Sequence, residues 1–385
     1  MIIIRATRYN KNTVSALLGS LETAGARIYD DVLVISSLST EELGKIPLGK
    51  HVFLFSFTTL HREHAYEDVK TLEKLFPGSS FIAGGPHASG DPEDTLSGGF
   101  DIAIRGEGEK WITSHIGGLK SLGLSQGIYG PEPETCSLDA FPPFPLKEPR
   151  YGLYIEITRG CPYACSFCQT SKIFGIKPRH RSVENILKYS ETMITNGLTD
   201  LRFVSPNSLS YGSKDGKGIN MPAIEELLSS LSKLVKGKGR VFFGSFPSEV
   251  RPEFVNDATM ALMRKYCDND NIIIGGQSGS DKVLKLTNRR HKSADIETAA
   301  DTALRHGFKV NVDFLFGFDF EGKDEALQSA GLMARLVKKG VKIHAHRLIP
   351  VSGTKYYGQK DTAIRPEIMA FLRKHHGKGM VYGNF

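Results

Sequence analysis

The chain has 385 residues, 40% of them hydrophobic and 24% charged, with a net charge of +7. That length exceeds one ordinary core and implies two domains. No apolar run approaches the roughly 20 residues of a membrane span, and no segment repeats at a solenoid period. The basic excess is modest. Its densest stretches, Lys233 to Arg240 and Arg373 to Lys378, read as solvated loops and a tail rather than a nucleic-acid surface. Of five cysteines, three fall within eight residues. That is no disulfide scaffold, and it implies a reducing, cytoplasmic compartment.

The opening MIIIRATRYN reads as a first strand, because a secretory leader is basic first and then apolar for longer. Further strands are expected at Val32–Ser36, Val52–Phe57, Ser80–Ala83 and Ile102–Ile104, with helices near Thr13–Ala24 and Glu63–Leu75. Such alternation predicts a parallel sheet with helices on both faces, a doubly wound Rossmann-like domain over 1–130. Residues 131–150 hold six prolines in twenty, which fix φ and remove donors. They form a linker or an extended strap.

From 151 the alternation resumes. Strands are expected at Leu153–Thr158, Leu201–Val204, Arg240–Gly244, Ile272–Gly275, Lys309–Phe316 and Lys342–His346. The clearest helix between them carries Ile224, Leu227, Leu228, Leu231, Leu234 and Val235 behind Pro222, an i, i+3, i+4, i+7 stripe. Another spans Ala326–Lys339. Six β/α units over 151–350 make a partial TIM-type (β/α)6 barrel, whose chemistry belongs at the C-terminal ends of its strands. Residues 351–385 form a C-terminal tail.

Gly160-Cys161-Pro162-Tyr163-Ala164-Cys165-Ser166-Phe167-Cys168 follows the first barrel strand. Three thiolates spaced Cys-x3-Cys-x2-Cys suit three irons of one cubane and leave the fourth iron open. A structural zinc needs four closed ligands, and Cys136 and Cys267 are isolated in the chain. This spacing, with Phe167 before the last cysteine, resembles the radical S-adenosylmethionine superfamily over about 151–350. The resemblance implies that the open iron of a [4Fe–4S] cluster chelates S-adenosylmethionine, and that the reduced cluster releases a 5′-deoxyadenosyl radical. It also implies cofactor contacts at Gln277 and Ser278 of a Gln-Ser-Gly-Ser element, at Arg289, at Ser245 and Glu249 after the third strand, and at Arg251 as a carboxylate partner. After the second strand, where relatives place an acid, this chain offers Ser205 and Asn207.

In the first domain, Gly84-Gly85-Pro86-His87 and Gly106-Glu107, with Ser56 and Thr58 after the third strand, resemble cobalamin-binding domains fused to radical enzymes. The first loop, Thr7 to Asn12, lacks a histidine for cobalt, so the histidine-on mode is absent. Together these features resemble class B methyltransferases, which methylate unactivated sp³ carbons from methylcobalamin. The segment Ile343 to Thr354 resembles an archaeal branch that includes glutamine Cα-methylation of the methyl-coenzyme M reductase alpha chain. That implies a protein substrate and an electron donor. His344, His346 and Tyr356 are expected to face the substrate, Tyr356 as a catalytic group. Methylthio transfer, radical ring formation and cobalamin-dependent regulation are the competing readings.

Overall fold

The computed structural model describes residues 1–27, 30–131, 136–147, 154–360 and 362–385. The chain divides into two compact units. The first holds Met1–Ile155 with Lys172–Phe174 and Val351–Thr354, and the second holds the remainder.

The first unit is built on six strands: β1 (Ile2–Arg5), β2 (Val32–Ile35), β3 (Val52–Ser56), β4 (Ser80–Gly84), β5 (Ile102–Ile104) and β6 (Gly127–Tyr129). They pair in parallel in the order β2-β1-β3-β4-β5-β6. Strand side chains alternate, so each strand feeds two cores. Ile2, Ile4, Val52, Leu54 and Ile82 pack on one face with Leu18 and Trp111. Ile3, Phe53, Phe55, Phe81 and Ala83 pack on the other with Val69 and Leu72. The order reverses between β1 and β3, which makes their C-terminal ends the topological switch point.

The proline-rich segment is a strap on this unit. The Leu146 and Lys147 amides donate to the Glu22 carboxylate at 2.7 and 3.0 Å. Phe144 is fully buried, and Gly19 is glycine because a Cβ there would sit 2.8 Å from the Pro142 carbonyl. Expected residues 132–135 and 148–150 of the strap, and 151–153 ahead of the barrel, lie outside the described residues. A late segment also belongs to this unit. Ser352 is wholly buried; its amide donates to Thr59 Oγ1 at 3.0 Å, and its hydroxyl donates to the His87 carbonyl at 3.2 Å.

The second unit contains β7 (Ile155–Glu156), β8 (Thr158–Arg159), β9 (Arg179–His180), β10 (Asp200–Val204), β11 (Arg240–Phe242), β12 (Asn271–Gln277), β13 (Lys309–Phe316), β14 (Lys342–Arg347) and β15 (Val381–Asn384). Its sheets run β11-β10-β7 and β12-β13-β14-β15. They join edge to edge: the Ile273 amide donates to Gly244 at 3.0 Å, and Val250 bridges Ile274 in parallel. The expected six barrel strands are therefore β7, β10, β11, β12, β13 and β14. The helix Met221–Val235 buries Ile224, Leu227, Leu228, Leu231 and Val235, and its cap is Asn220, which accepts from the Ala223 amide at 3.3 Å. Each such side chain contributes about 1.5–3 kcal/mol.

The C-terminal tail is a correction. Helix Pro366–His376 and β15 form a seventh β/α unit, with Val381 beside Ile343 and Tyr382 beside His344 in parallel register. Burial of Ile368, Leu372 and Val381 supplies the cohesion a tail would lack. The antiparallel pair β8–β9 was also unexpected. Its His180 bridges Thr158 Oγ1 at 2.9 Å and the Ser213 carbonyl at 2.9 Å.

Candidate active site

The cysteine loop leaves β8 through Gly160. Its φ is +88°, and a Cβ would lie 2.5 Å from the Lys177 carbonyl, so only glycine turns the chain here. The loop is then clamped from the segment after helix Asp281–Leu286. Asn288 Nδ2 donates to the Tyr163 and Ala164 carbonyls at 2.7 and 3.1 Å, and the Ser166 amide donates to Thr287 at 3.1 Å. Inside the loop the Cys168 amide donates to the Cys165 carbonyl at 3.0 Å.

Cys161, Cys165 and Cys168 all line one cavity of about 340 Å³. Phe167, Ser205, Glu249, Arg251, Gln277, Arg289, Asp313 and His344 share that lining. Arg289 is buried, with Nη1 3.7 Å from Cys165 Sγ and Nη2 donating to the Gly275 carbonyl. Arg289 thus places a buried positive charge beside the three sulfurs. Burial, joined by the charge of the neighbouring thiols, pushes the Cys161 and Cys168 thiols up, so a bound cation is what would displace their protons. Three sulfur donors, one fixed guanidinium and open space beyond fit an iron–sulfur cluster with one accessible iron.

The expected contacts divide. Gln277, at φ +73° where β12 ends, faces the cavity. Its neighbour Ser278 does not: it is wholly buried, its hydroxyl 3.2 Å from Ser329 Oγ, and it receives the Ser280 amide at 3.1 Å. Ser278 ties the loop to helix Lys323–Lys338. Ser205 lines the cavity, and its hydroxyl pairs with Ser208 at 3.2 Å. Asn207 and Ser245 are buried outside that lining, although Asn207 Nδ2 and Ser245 Oγ have no hydrogen-bond partner among the described residues.

Arg251 is engaged within the protein rather than held out for a carboxylate. Nε donates to Glu253 at 2.7 Å, Nη2 donates to the Arg289 carbonyl, and the guanidinium lies 3.5 Å over the Tyr163 ring. Burial, then Arg289 and Arg251, push His291 down to about 2. It stays neutral and donates from Nε2 to the Gly276 carbonyl at 3.1 Å. Burial pushes Glu249 up to about 7 against the pull of Arg289, and a hydrogen bond to Asp313 adds to the rise. Gly275 makes room for it, since a Cβ there would meet the Glu249 carboxyl at 2.5 Å.

Tyr356 sits elsewhere. It is buried with Phe318, Phe320 and Val283, and its hydroxyl meets Ser166 Oγ at 2.9 Å. It lines a second cavity with Asp319 and Lys355, not the cysteine cavity. The sequence reading missed Asp313. Its signal was the polar pair Asn311 and Asp313, two apart on an otherwise apolar buried strand.

In the first unit, Ser56 and Gly84 end β3 and β4 side by side. Gly85 follows at φ +86°, where a Cβ would lie 2.4 Å from Ser56 Oγ, and Gly106 takes φ +83°. Both bring bare backbone to the strand edge. Pro86 lies in the first turn of helix Gly85–Gly90, and Glu107 caps helix Gly108–Ser114. Thr58 is turned to His61 Nδ1 at 2.8 Å. His87 is wholly buried, 2.9 Å from Asp94 Oδ2 and 3.2 Å from both Tyr66 and Thr59 hydroxyls. Its ring braces the unit from within. Asn10 pins the switch point itself, donating to the Arg5 and Ser56 carbonyls at 3.0 Å each.

A parallel barrel with a three-cysteine loop at the ends of its strands is the arrangement that the resemblance to radical S-adenosylmethionine proteins implied. Residues 155–333 match the model of the Radical SAM superfamily. The fold is similar to that of the radical S-adenosylmethionine methyltransferase TsrM from Kitasatospora setae, solved with cobalamin and a [4Fe–4S] cluster. The TM-score is 0.68 at 13% identity, over 92% of this chain and 74% of that one. The cobalamin-dependent radical enzyme OxsB, solved with aqua-cobalamin and S-adenosylmethionine, superposes with a TM-score of 0.67 at 14% identity, over 98% of this chain and 55% of that one. Among curated relatives, the tRNA-2-methylthio-N(6)-dimethylallyladenosine synthase of Moorella thermoacetica is 28% identical over 221 residues, 56% of this chain and 47% of that protein. The ribosomal protein uS12 methylthiotransferase of Desulfotalea psychrophila is 28% identical over 235 residues, 58% of this chain and 49% of that protein. The chain spans about half the length of these curated relatives. No helix among the described residues is long and apolar enough to cross a membrane.

Proposed function

We propose that this chain is a cobalamin-dependent radical S-adenosylmethionine C-methyltransferase. Its substrate is an unactivated sp³ carbon, the Cα of a glutamine in the methyl-coenzyme M reductase alpha chain. The observation that carries the reading is the convergence of Cys161, Cys165 and Cys168 on one cavity with Arg289 buried at Cys165. When bound, the cluster and S-adenosylmethionine supply a 5′-deoxyadenosyl radical, and methylcobalamin supplies the methyl group.

The chain's own residues position these groups. The three cysteines hold three irons, and Arg289 offsets their charge. Gln277, Ser205 and Glu249 offer the polar groups that would meet S-adenosylmethionine, while Phe167 and Phe246 add apolar wall to the cavity. In the first unit, Ser56, Gly84, Gly85 and Gly106 present a strand edge with little side-chain bulk. A parallel sheet with a switch point between β1 and β3 supports cobalamin there, as do the folds of TsrM and OxsB, each solved with cobalamin. The glutamine substrate is supported by the resemblance of Ile343 to Thr354. An external electron donor in a reducing cytoplasm completes the requirements.

Mass spectrometry after turnover with methyl-labelled S-adenosylmethionine tests the reading. A glutamine-containing peptide of the reductase is expected to gain one methyl mass, with deuterium lost from Cα. No methyl gain in the presence of bound cobalamin overturns it. Methylthio transfer is favoured by the curated relatives, and the same spectra separate it by the added sulfur. Against it, a second cluster needs further closely placed thiolates, and the two cysteines outside the triplet, Cys136 and Cys267, stand far apart in the chain.

A further inference from the structure

The inner wall of the barrel carries a cluster that the proposed reaction does not use. β13 and β14 are neighbouring parallel strands, with Asp313 opposite His344 and Leu315 opposite His346. His344 and His346 are two apart, so strand periodicity sends both to one face. His344 Nδ1 lies 3.0 Å from Asp313 Oδ1 and 3.1 Å from His346 Nε2. The donor atoms of all three residues lie within 4.8 Å of one another.

Hydrogen bonding alone accounts poorly for this arrangement. An imidazole nitrogen offers one N–H or one lone pair, directed in the ring plane. His344 Nδ1 therefore serves one neighbour well, and here it has two. A cation among the three would take one lone pair from each residue. An octahedral ion about 2.1 Å from its ligands sets adjacent donors roughly 3.0 Å apart; two of the three donor pairs stand at 3.0 and 3.1 Å, and all three lie within 4.8 Å.

The surroundings suit a ligand set. Tyr382 stacks on His344 with ring centres 4.4 Å apart and planes at 12°, which fixes the imidazole. Asp313 and His344 line the cysteine cavity, so positions not filled by protein face that space.

We propose that Asp313, His344 and His346 bind one divalent first-row transition cation in a two-histidine, one-carboxylate site. Imidazole ligands suit zinc, copper, iron or nickel better than magnesium or calcium. Its open positions take an oxygen of the substrate, such as an amide carbonyl, and hold it in the cavity that the cysteines line. This role in substrate placement rests on the methyltransferase reading; the binding of the cation does not.

The test uses the full chain, reconstituted with its cluster, exposed to Zn2+ and passed through gel filtration before metal analysis. The wild-type protein is expected to retain one zinc beyond its iron. His344→Asn, His346→Gln and Asp313→Asn should each lower retained zinc at least about tenfold while iron stays constant. No zinc on the iron-loaded wild type overturns the proposal. So does wild-type zinc in the His344→Asn/His346→Gln double variant. Should a variant lose iron as well, X-ray absorption of the zinc-loaded wild type decides. Imidazole scattering without a sulfur shell supports the site, and a sulfur shell overturns it. Failure of methyl transfer with zinc retained would count against the methyltransferase reading alone.

Discussion

The two strand edges of this molecule are built from opposite materials. The barrel edge is made of side chains: three thiols, two guanidiniums, two carboxyls and a glutamine around one cavity. The edge of the first unit is made of backbone, with Gly84, Gly85 and Gly106 where side chains would stand. Its polar side chains face inward, Asn10 to the Arg5 and Ser56 carbonyls and His87 to Asp94. One edge supplies charge and metal ligands. The other supplies bare backbone and shape.

The sharpest break in that contrast comes at the cysteines. Replacing Cys161, Cys165 and Cys168 together by alanine is expected to abolish 5′-deoxyadenosine formation, read by chromatography. An unchanged yield would remove the barrel edge as a chemical site. The next effect concerns Glu321, which burial pushes up to about 7. The folded state binds its proton more tightly than the unfolded one, so stability falls as pH rises from the ordinary carboxyl range toward 7. Glu321→Gln should therefore gain on wild type between pH 5 and 8, by up to roughly 3 kcal/mol. Parallel urea curves at both pH values would contradict that.

On the backbone-built edge, Gly85→Ala forces a side chain into a left-handed position against Ser56. It should cost at least roughly 2 kcal/mol and weaken cobalamin retention, with cluster iron unchanged. Retention equal to wild type would show that this edge is not shaped by its glycines. The smallest effect is Tyr356→Phe. Losing the bond to Ser166 costs about 1 kcal/mol, and 5′-deoxyadenosine yield should stay within about twofold. A drop of about tenfold or more would return Tyr356 to the chemistry.

The same contrast explains what could be read in advance. The cysteine loop was legible because its three donors lie within eight residues. Most strands were legible because both faces of a parallel sheet are apolar, as in Ile2–Arg5 and Lys309–Phe316. β6 was not, because it is a three-residue edge strand with Ile128 exposed. β15 was not, because Val381 alone in it is buried. Within the Gln-Ser-Gly-Ser element the sequence could not say which side chain turns outward. The left-handed conformation of Gln277 decides that, and it sends Ser278 inward. Asp313 and His344 are 31 residues apart and meet only through strand register.

Ser352 sets a timetable. It lies 293 residues beyond Thr59 in the chain, yet it bonds Thr59 and the His87 carbonyl inside the first unit. Gly90 has no side chain where Ser352 packs, since a Cβ there would sit 2.5 Å from it. As the polypeptide leaves the ribosome, the first sheet can pair and collapse early. The Ser352 seat then stays unfilled until most of the second unit has been translated, so the first unit is completed only after the chain of the second has largely emerged.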